Sequence, residues 1–79
     1  MPSYPYLDYY LVEISRAEKD PGRSRVWIVQ AIAYDIQTQK RVARCHGVSA
    51  NPERAEEFAR AVVENRLDEL IETNRIVEE

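Results

Sequence analysis

The stretch Asn51–Glu72 limits the folds open to this chain more than any other, because it holds the one long-range apolar period in the sequence. At about 100° per residue, Ala55, Phe58, Ala59 and Val62 fall on one helical stripe, and Ala59, Val63, Leu67, Leu70 and Ile71 fall on a second. Asn51-Pro52-Glu53 is the start signal. An Asn side chain accepts a bond from an orphan N–H of the first turn, and proline at the first helical position gives up no needed donor. Ser49 is a second candidate cap. Glu53, Glu56 and Glu57 follow where the helix dipole favours carboxylates. Arg66 lies in line with the first stripe one turn past Val62 and ends it. A helix apolar over so wide an arc has two outcomes. It wraps a twisted sheet and buries both stripes, or it covers the sheet with the first and leaves Val63, Leu67, Leu70 and Ile71 for a partner.

The chain before this helix reads as the sheet it covers. Leu7–Arg16 alternates, with Tyr10, Val12 and Ile14 on one side and Tyr9, Leu11, Glu13 and Ser15 on the other, which predicts a first strand. Ala17–Ser24 contains Asp20-Pro21-Gly22 and predicts a hairpin loop. Arg25–Ile36 is apolar on both faces, Trp27, Val29, Ala31 and Ala33 against Val26, Ile28, Ile32 and Tyr34. A strand of that kind is central and wants cover on both sides. The helix supplies one cover; the N-terminal arm or a second copy is left to supply the other. After a turn at residues 37–39, Lys40–Val48 reads as a third strand, with Val42, Arg44, His46 and Val48 opposing Arg41, Ala43, Cys45 and Gly47. Residues 1–6, with Pro2 and Pro5, read as an extended arm, and residues 73–79 as a polar tail. The expected fold is α+β: a single domain over residues 1–79, built as a three-stranded antiparallel meander followed by one C-terminal α-helix packed on the sheet.

Size makes such a fold marginal, since a chain of 79 residues buries only about 60% of its extended surface. Small domains of this kind gain stability by associating, which predicts a homodimer. A single cysteine excludes an internal disulfide and, with no apolar run long enough to span a bilayer, points to the cytoplasm. The net charge of −3 is unevenly spread. Met1–Val48 carries seven Lys or Arg against five Asp or Glu, whereas Ser49–Glu79 carries four against nine. A broad polyanion-binding surface is disfavoured by that balance.

Motifs for chemistry are sparse. Cys45 and His46 are adjacent in a strand and so face opposite sides, which denies them the hydrogen bond that nucleophilic catalysis needs. One His and one Cys do not make a metal site. No glycine-rich phosphate loop exists, because the two glycines are Gly22 in a turn and Gly47 near a strand end. No enzyme activity, cofactor or metal is therefore expected. Four of the five tyrosines, Tyr4, Tyr6, Tyr9 and Tyr10, lie within seven residues. Tyrosine offers large contact area with a polar tip and is enriched where proteins meet.

Gly47-Val48-Ser49 through Ala55, Ala59 and Leu67 resembles the last strand and helix of double-stranded-RNA-binding domains, and of small toxin-neutralising antitoxins of the HicB type. Where an RNA-binding domain presents lysines at the helix start, this chain has Glu53, Arg54, Glu56 and Glu57, and no first helix precedes the sheet, so no functional residue is carried over. The expected function is a non-enzymatic protein-binding domain, a regulator or inhibitor that occupies a partner's surface and self-associates. Tyr6, Tyr9, Tyr10, Val63, Leu67, Leu70 and Ile71 are its candidate contact residues. The alternative is a weak nucleic-acid-binding module using Arg25, Lys40, Arg41 and Arg44, in which Arg41 and Arg44 would face opposite sides of a regular strand.

Overall fold

The structure, a computed structural model, describes the backbone of residues 3–78 and the side chains of residues 3–73. Five strands precede one helix: β1 (Ser3–Tyr6), β2 (Tyr10–Ile14), β3 (Glu18–Asp20), β4 (Arg23–Asp35), β5 (Arg41–Ser49) and α1 (Pro52–Glu78). All pairings are antiparallel, and β4 is the spine. On one edge it pairs first with β3, from Arg23 to Ile28, and then with β2, from Ala31 to Asp35; on the other it pairs with β5 from Trp27 to Tyr34. β1 extends the sheet beyond β2.

The α+β class, the antiparallel sheet and the C-terminal helix stand as the sequence predicts, but the sheet has five strands rather than a three-stranded meander. Residues 3–6 of the expected arm pair with β2 instead of running free, with Tyr4 opposite Val12 and Tyr6 opposite Tyr10. Met1 and Pro2 lie outside the described residues. Pro5 is compatible with this because an edge strand carries outward-directed N–H positions that need no partner. The second addition, β3, comes from the expected hairpin loop. Lys19 pairs with Trp27, and the turn tightens to Asp20-Pro21-Gly22-Arg23. There Asp20 accepts bonds from the Gly22 amide at 2.8 Å and the Arg23 guanidinium at 3.1 Å. Exposed Glu18 and Lys19 carry no apolar alternation, so that pairing is held by the backbone and by Lys19 set over the Trp27 ring at 5.4 Å. The residues 73–79 expected as a polar tail are helical through Glu78.

The helix starts where its cap dictates. Asn51 Oδ1 accepts from the amides of Glu53 at 2.8 Å and Arg54 at 3.4 Å, while the Ser49 hydroxyl accepts from the Asn51 amide. From there Ala55, Ala59, Val63 and Leu67, at steps of four, face the sheet and are fully buried. They meet Val12 and Ile14 of β2, Val29, Ala31 and Ala33 of β4, and Ala43 of β5. The contact is closest over β5. A Cβ on Gly47 would fall inside the envelopes of the Ala55 carbonyl oxygen and the Ala59 amide nitrogen, and 3.0 Å from the Ala59 Cα. Absence of a side chain is what lets the helix backbone rest on the strand. Two turns are made without glycine at positive φ. Leu7 and Asp8, at φ 51° and 62°, form the β1–β2 turn closed by Tyr9 N–H to Tyr6 O at 3.2 Å. Gln39, at φ 61°, closes the β4–β5 turn, where Asp35 Oδ1 also accepts from the amides of Gln37 and Thr38.

Gly47→Ala is expected to lower unfolding free energy by about 3 kcal/mol, the cost of forcing apart two backbones that cannot repack around a methyl group; urea denaturation followed by circular dichroism measures it. Replacing Leu7-Asp8 by Asn-Gly, which suits two successive positive φ angles, is expected to stabilise by about 1 kcal/mol in the same assay.

Candidate interaction surface

The sheet has two faces, and the chain covers one. Alternation along β4 sends Trp27, Val29, Ala31 and Ala33 to the helix and Val26, Ile28, Gln30, Ile32 and Tyr34 to the other side. Because β1 pairs edge-on, nothing among the described residues lies over this second face. The register sets its side chains in rows across β2 or β3, β4 and β5. Leu11, Tyr34 and Arg41 form one row, and Glu13, Ile32 and Arg44 the next. Ser15, Gln30 and His46 follow, with the Gln30 amide donating to the Ser15 hydroxyl at 2.8 Å, and then Glu18, Ile28 and Val48. Leu11 and Val48 are exposed, and Ile28, Ile32 and Tyr34 are half-buried. The face thus has a largely apolar central column interrupted by Gln30, with Glu13, Glu18 and Arg16 on one flank and Arg41 and Arg44 on the other.

A bulge makes the basic flank. Ala33 opposes Ala43 but Tyr34 opposes Arg41, so Val42 is extra and the alternation of β5 slips by one residue. Arg41 and Arg44, expected on opposite sides of a regular strand, therefore share the helix-free face. The slip does leave a trace in Arg41-Val42-Ala43-Arg44, because a regular strand would set Arg41 on the small-residue side of Ala43, Cys45 and Gly47. Arg25 lies far along β4 from them, and Lys40 sits in the turn before β5. Tyr34 is raised above the ordinary phenol range by desolvation and then by the Glu13 carboxylate beside it.

The seven candidate contact residues do not form one surface. Val63 and Leu67 are 0% exposed beneath the helix, and Leu70 and Ile71 pack against the same core, so the second helical stripe faces the sheet. The apolar residues left outside belong to the first stripe: Phe58 and Val62 are about half exposed on the flank of α1 beside β5, whose outer edge is unpaired. Tyr10 is core at 6% exposure, whereas Tyr9, at 60%, is open. Tyr4 and Tyr6 point back onto the helix. The Tyr4 hydroxyl donates to Glu64 Oε2 and the Tyr6 hydroxyl to Asp68 Oδ1, both at 2.7 Å, and the Arg60 guanidinium lies 5.1 Å from the centre of the Tyr4 ring. What the tyrosine cluster's spacing hid is a division of labour by alternation, with Tyr4, Tyr6 and Tyr10 on the helix side.

Cys45 lies on the helix side of β5 and His46 on the other. Among the described residues no group of three or more His, Cys, Asp or Glu is placed to hold a metal ion, and no helix is long and apolar enough to cross a membrane. No family model, curated protein or solved structure matches the chain.

The two phenol–carboxylate bonds carry a pH signature. The bond to Asp68 is the main reason that Tyr6 is pushed up to about 12 from 10.0. Burial, then the bond to Glu64, moves Tyr4 further in the same direction. A phenol whose folded pKa is raised contributes stability that is complete below its unfolded pKa and lost as pH climbs from there toward the folded value. Thermal midpoints measured from pH 8 to 11 should fall above pH 10, and the fall should be shallower in Tyr6→Phe and shallowest in the Tyr4→Phe, Tyr6→Phe double variant.

Proposed function

We propose that this chain is a non-enzymatic protein-binding domain that acts as a regulator or inhibitor by occupying a partner's surface, and that the helix-free face of its sheet is the surface it uses. The observation that carries this is the second apolar column of β4. An antiparallel sheet with one face in water normally alternates apolar and polar residues. β4 instead presents Ile28, Ile32 and Tyr34 away from its own core, beside Leu11 and Val48. Apolar surface rimmed by charge, here with one polar row at Ser15, Gln30 and His46, is the usual composition of a protein contact. Phe58 and Val62 give the flank of the helix a secondary contact role, and the lone cysteine favours action in the cytoplasm.

A second reading is favoured by one observation, the bulge that sets Arg41 beside Arg44 on one face. Those two, with Lys40 and Arg25, would give a weak nucleic-acid-binding module. Its few phosphate contacts would be lost at moderate salt, and Glu13 and Glu18 on the same face oppose it.

Ile32→Glu separates these readings. It places a charge at the centre of the face while leaving the helix-side core untouched, so its circular dichroism spectrum should match the wild type. Tagged wild-type protein is expected to retain a stoichiometric protein from nuclease-treated lysate of its native source, and Ile32→Glu to lose it. Retention that vanishes with nuclease, or that persists in Ile32→Glu, would overturn the assignment of this face.

A further inference from the structure

The helix-free face has a charge pattern that is complementary to itself under one symmetry operation. Taken as a plane with the strands vertical, its β2–β3 flank carries Glu13 and Glu18 with Arg16 between them, its β4 column carries Ile28, Gln30, Ile32 and Tyr34, and its β5 flank carries Arg41, Arg44 and His46. Two copies brought face to face are related by a two-fold axis lying in that plane. If the axis ran across the strands, each flank would meet its own counterpart, carboxylate on carboxylate and guanidinium on guanidinium. If it runs along β4, each row meets its own reverse: Glu13 lies over Arg44 twice and Ile32 over Ile32, while Leu11 meets Arg41, Ser15 meets His46 and Glu18 meets Val48.

We propose that the partner for this face is a second copy of the chain, packed sheet on sheet about a two-fold axis along β4, so that Glu13 of each copy lies over Arg44 of the other. The inference rests on the assignment of the helix-free face as the interaction surface and adds the identity of the occupant. Sheets packed face to face keep their strands within about 30° of each other and about 10 Å apart, so each β4 sits within about 15° of the axis and side chains of both faces interdigitate. With the axis along β4, β1 finds no strand opposite it, so three strands at about 4.8 Å and five same-face positions along β4 at about 6.8 Å give roughly 500 Å² per copy, about 1,000 Å² for the pair, the size of a weak, exchanging interface.

Rival self-pairings are poorer. Antiparallel joining of two β5 edges would bring Arg41 and Arg44 of one copy alongside the same residues of the other, and like charges opposite one another destabilise a strand pair. A second copy joined along β1 would rest on a strand of four residues. Packing of Phe58 and Val62 against their counterparts offers two apolar side chains per copy and leaves the column of β4 uncovered.

Charge exchange at Glu13 and Arg44 tests the geometry, with sedimentation velocity across a concentration series as the readout and circular dichroism to confirm folding. Wild-type protein is expected to dimerise, and Ile32→Glu to be monomeric. Glu13→Arg alone and Arg44→Glu alone should each raise the dimer dissociation constant about tenfold, because each creates two like-charge contacts. The chain carrying both exchanges should return to within about threefold of the wild type, and an equimolar mixture of the two single variants should form heterodimers as tightly as the wild type does. An axis across the strands would leave the Glu13→Arg homodimer no weaker than wild type, which overturns the proposed axis. Dimerisation that survives Ile32→Glu would overturn the face itself. Wild-type protein that stays monomeric to roughly millimolar concentration, while still retaining a different protein in an Ile32-dependent manner, would overturn the second copy as occupant and leave the binding surface standing.

Discussion

The backbone of α1 rests on β5 at Gly47, and the arrangement of the molecule depends on that approach. Ala55 and Ala59 are the helix residues over the glycine, and Ala31, Ala33 and Ala43 floor the sheet nearby, so the helix sits low over β4 and β5. Val29 lies directly beside Gly47 on β4, and Val12, Ile14, Val63 and Leu67 complete the core. This placement sets Glu64 and Asp68 within hydrogen-bond reach of β1 and leaves Phe58 and Val62 exposed.

The same placement explains why one sheet face is finished and the other is not. One helix can cover one face, and its buried row is occupied by the core of β2, β4 and β5. The remaining segment that could have crossed to the other side, residues 3–6, is spent on lengthening the sheet. The apolar column of Ile28, Ile32 and Tyr34 therefore faces outward for a topological reason, and its charged flanks give it the form of a contact surface. An acidic and a basic flank on one face also limit non-specific stacking, since only one relative orientation of two such faces avoids like charges.

Much of the fold was legible because its signals are local and agree with one another. The Asn51 cap, the four-residue step from Ala55 to Leu67 and the double alternation of β4 each point to one element, and each forms. The extra strands were hidden for opposite reasons. β1 contains a proline that argues against pairing unless the strand is known to be an edge, and β3 is held by its backbone with side chains that carry no period. The assignment of the helix stripes could not be settled from the period, because Ala59 belongs to both and only the approach to Gly47 selects the one that faces the sheet. Regular alternation sets Arg41 with Ala43, Cys45 and Gly47, and the bulge at Val42 moves it to the face of Arg44. The uncovered column of β4 is visible in the sequence as a strand wanting two covers.

The phenol bonds from β1 to the helix join residues sixty or more positions apart, Tyr4 with Glu64 and Tyr6 with Asp68. Both lie at the periphery, away from the row of Ala55 to Leu67 that holds the helix down. Removing β1 would leave the pairings among the other strands as they are. What it uncovers is the edge of β2, a run of backbone donors and acceptors that ends at buried Tyr10, Val12 and Ile14. In aggregation terms β1 is a guard strand, and the two tyrosine hydroxyls are its latches. A chain that loses them keeps its core but acquires an adhesive border.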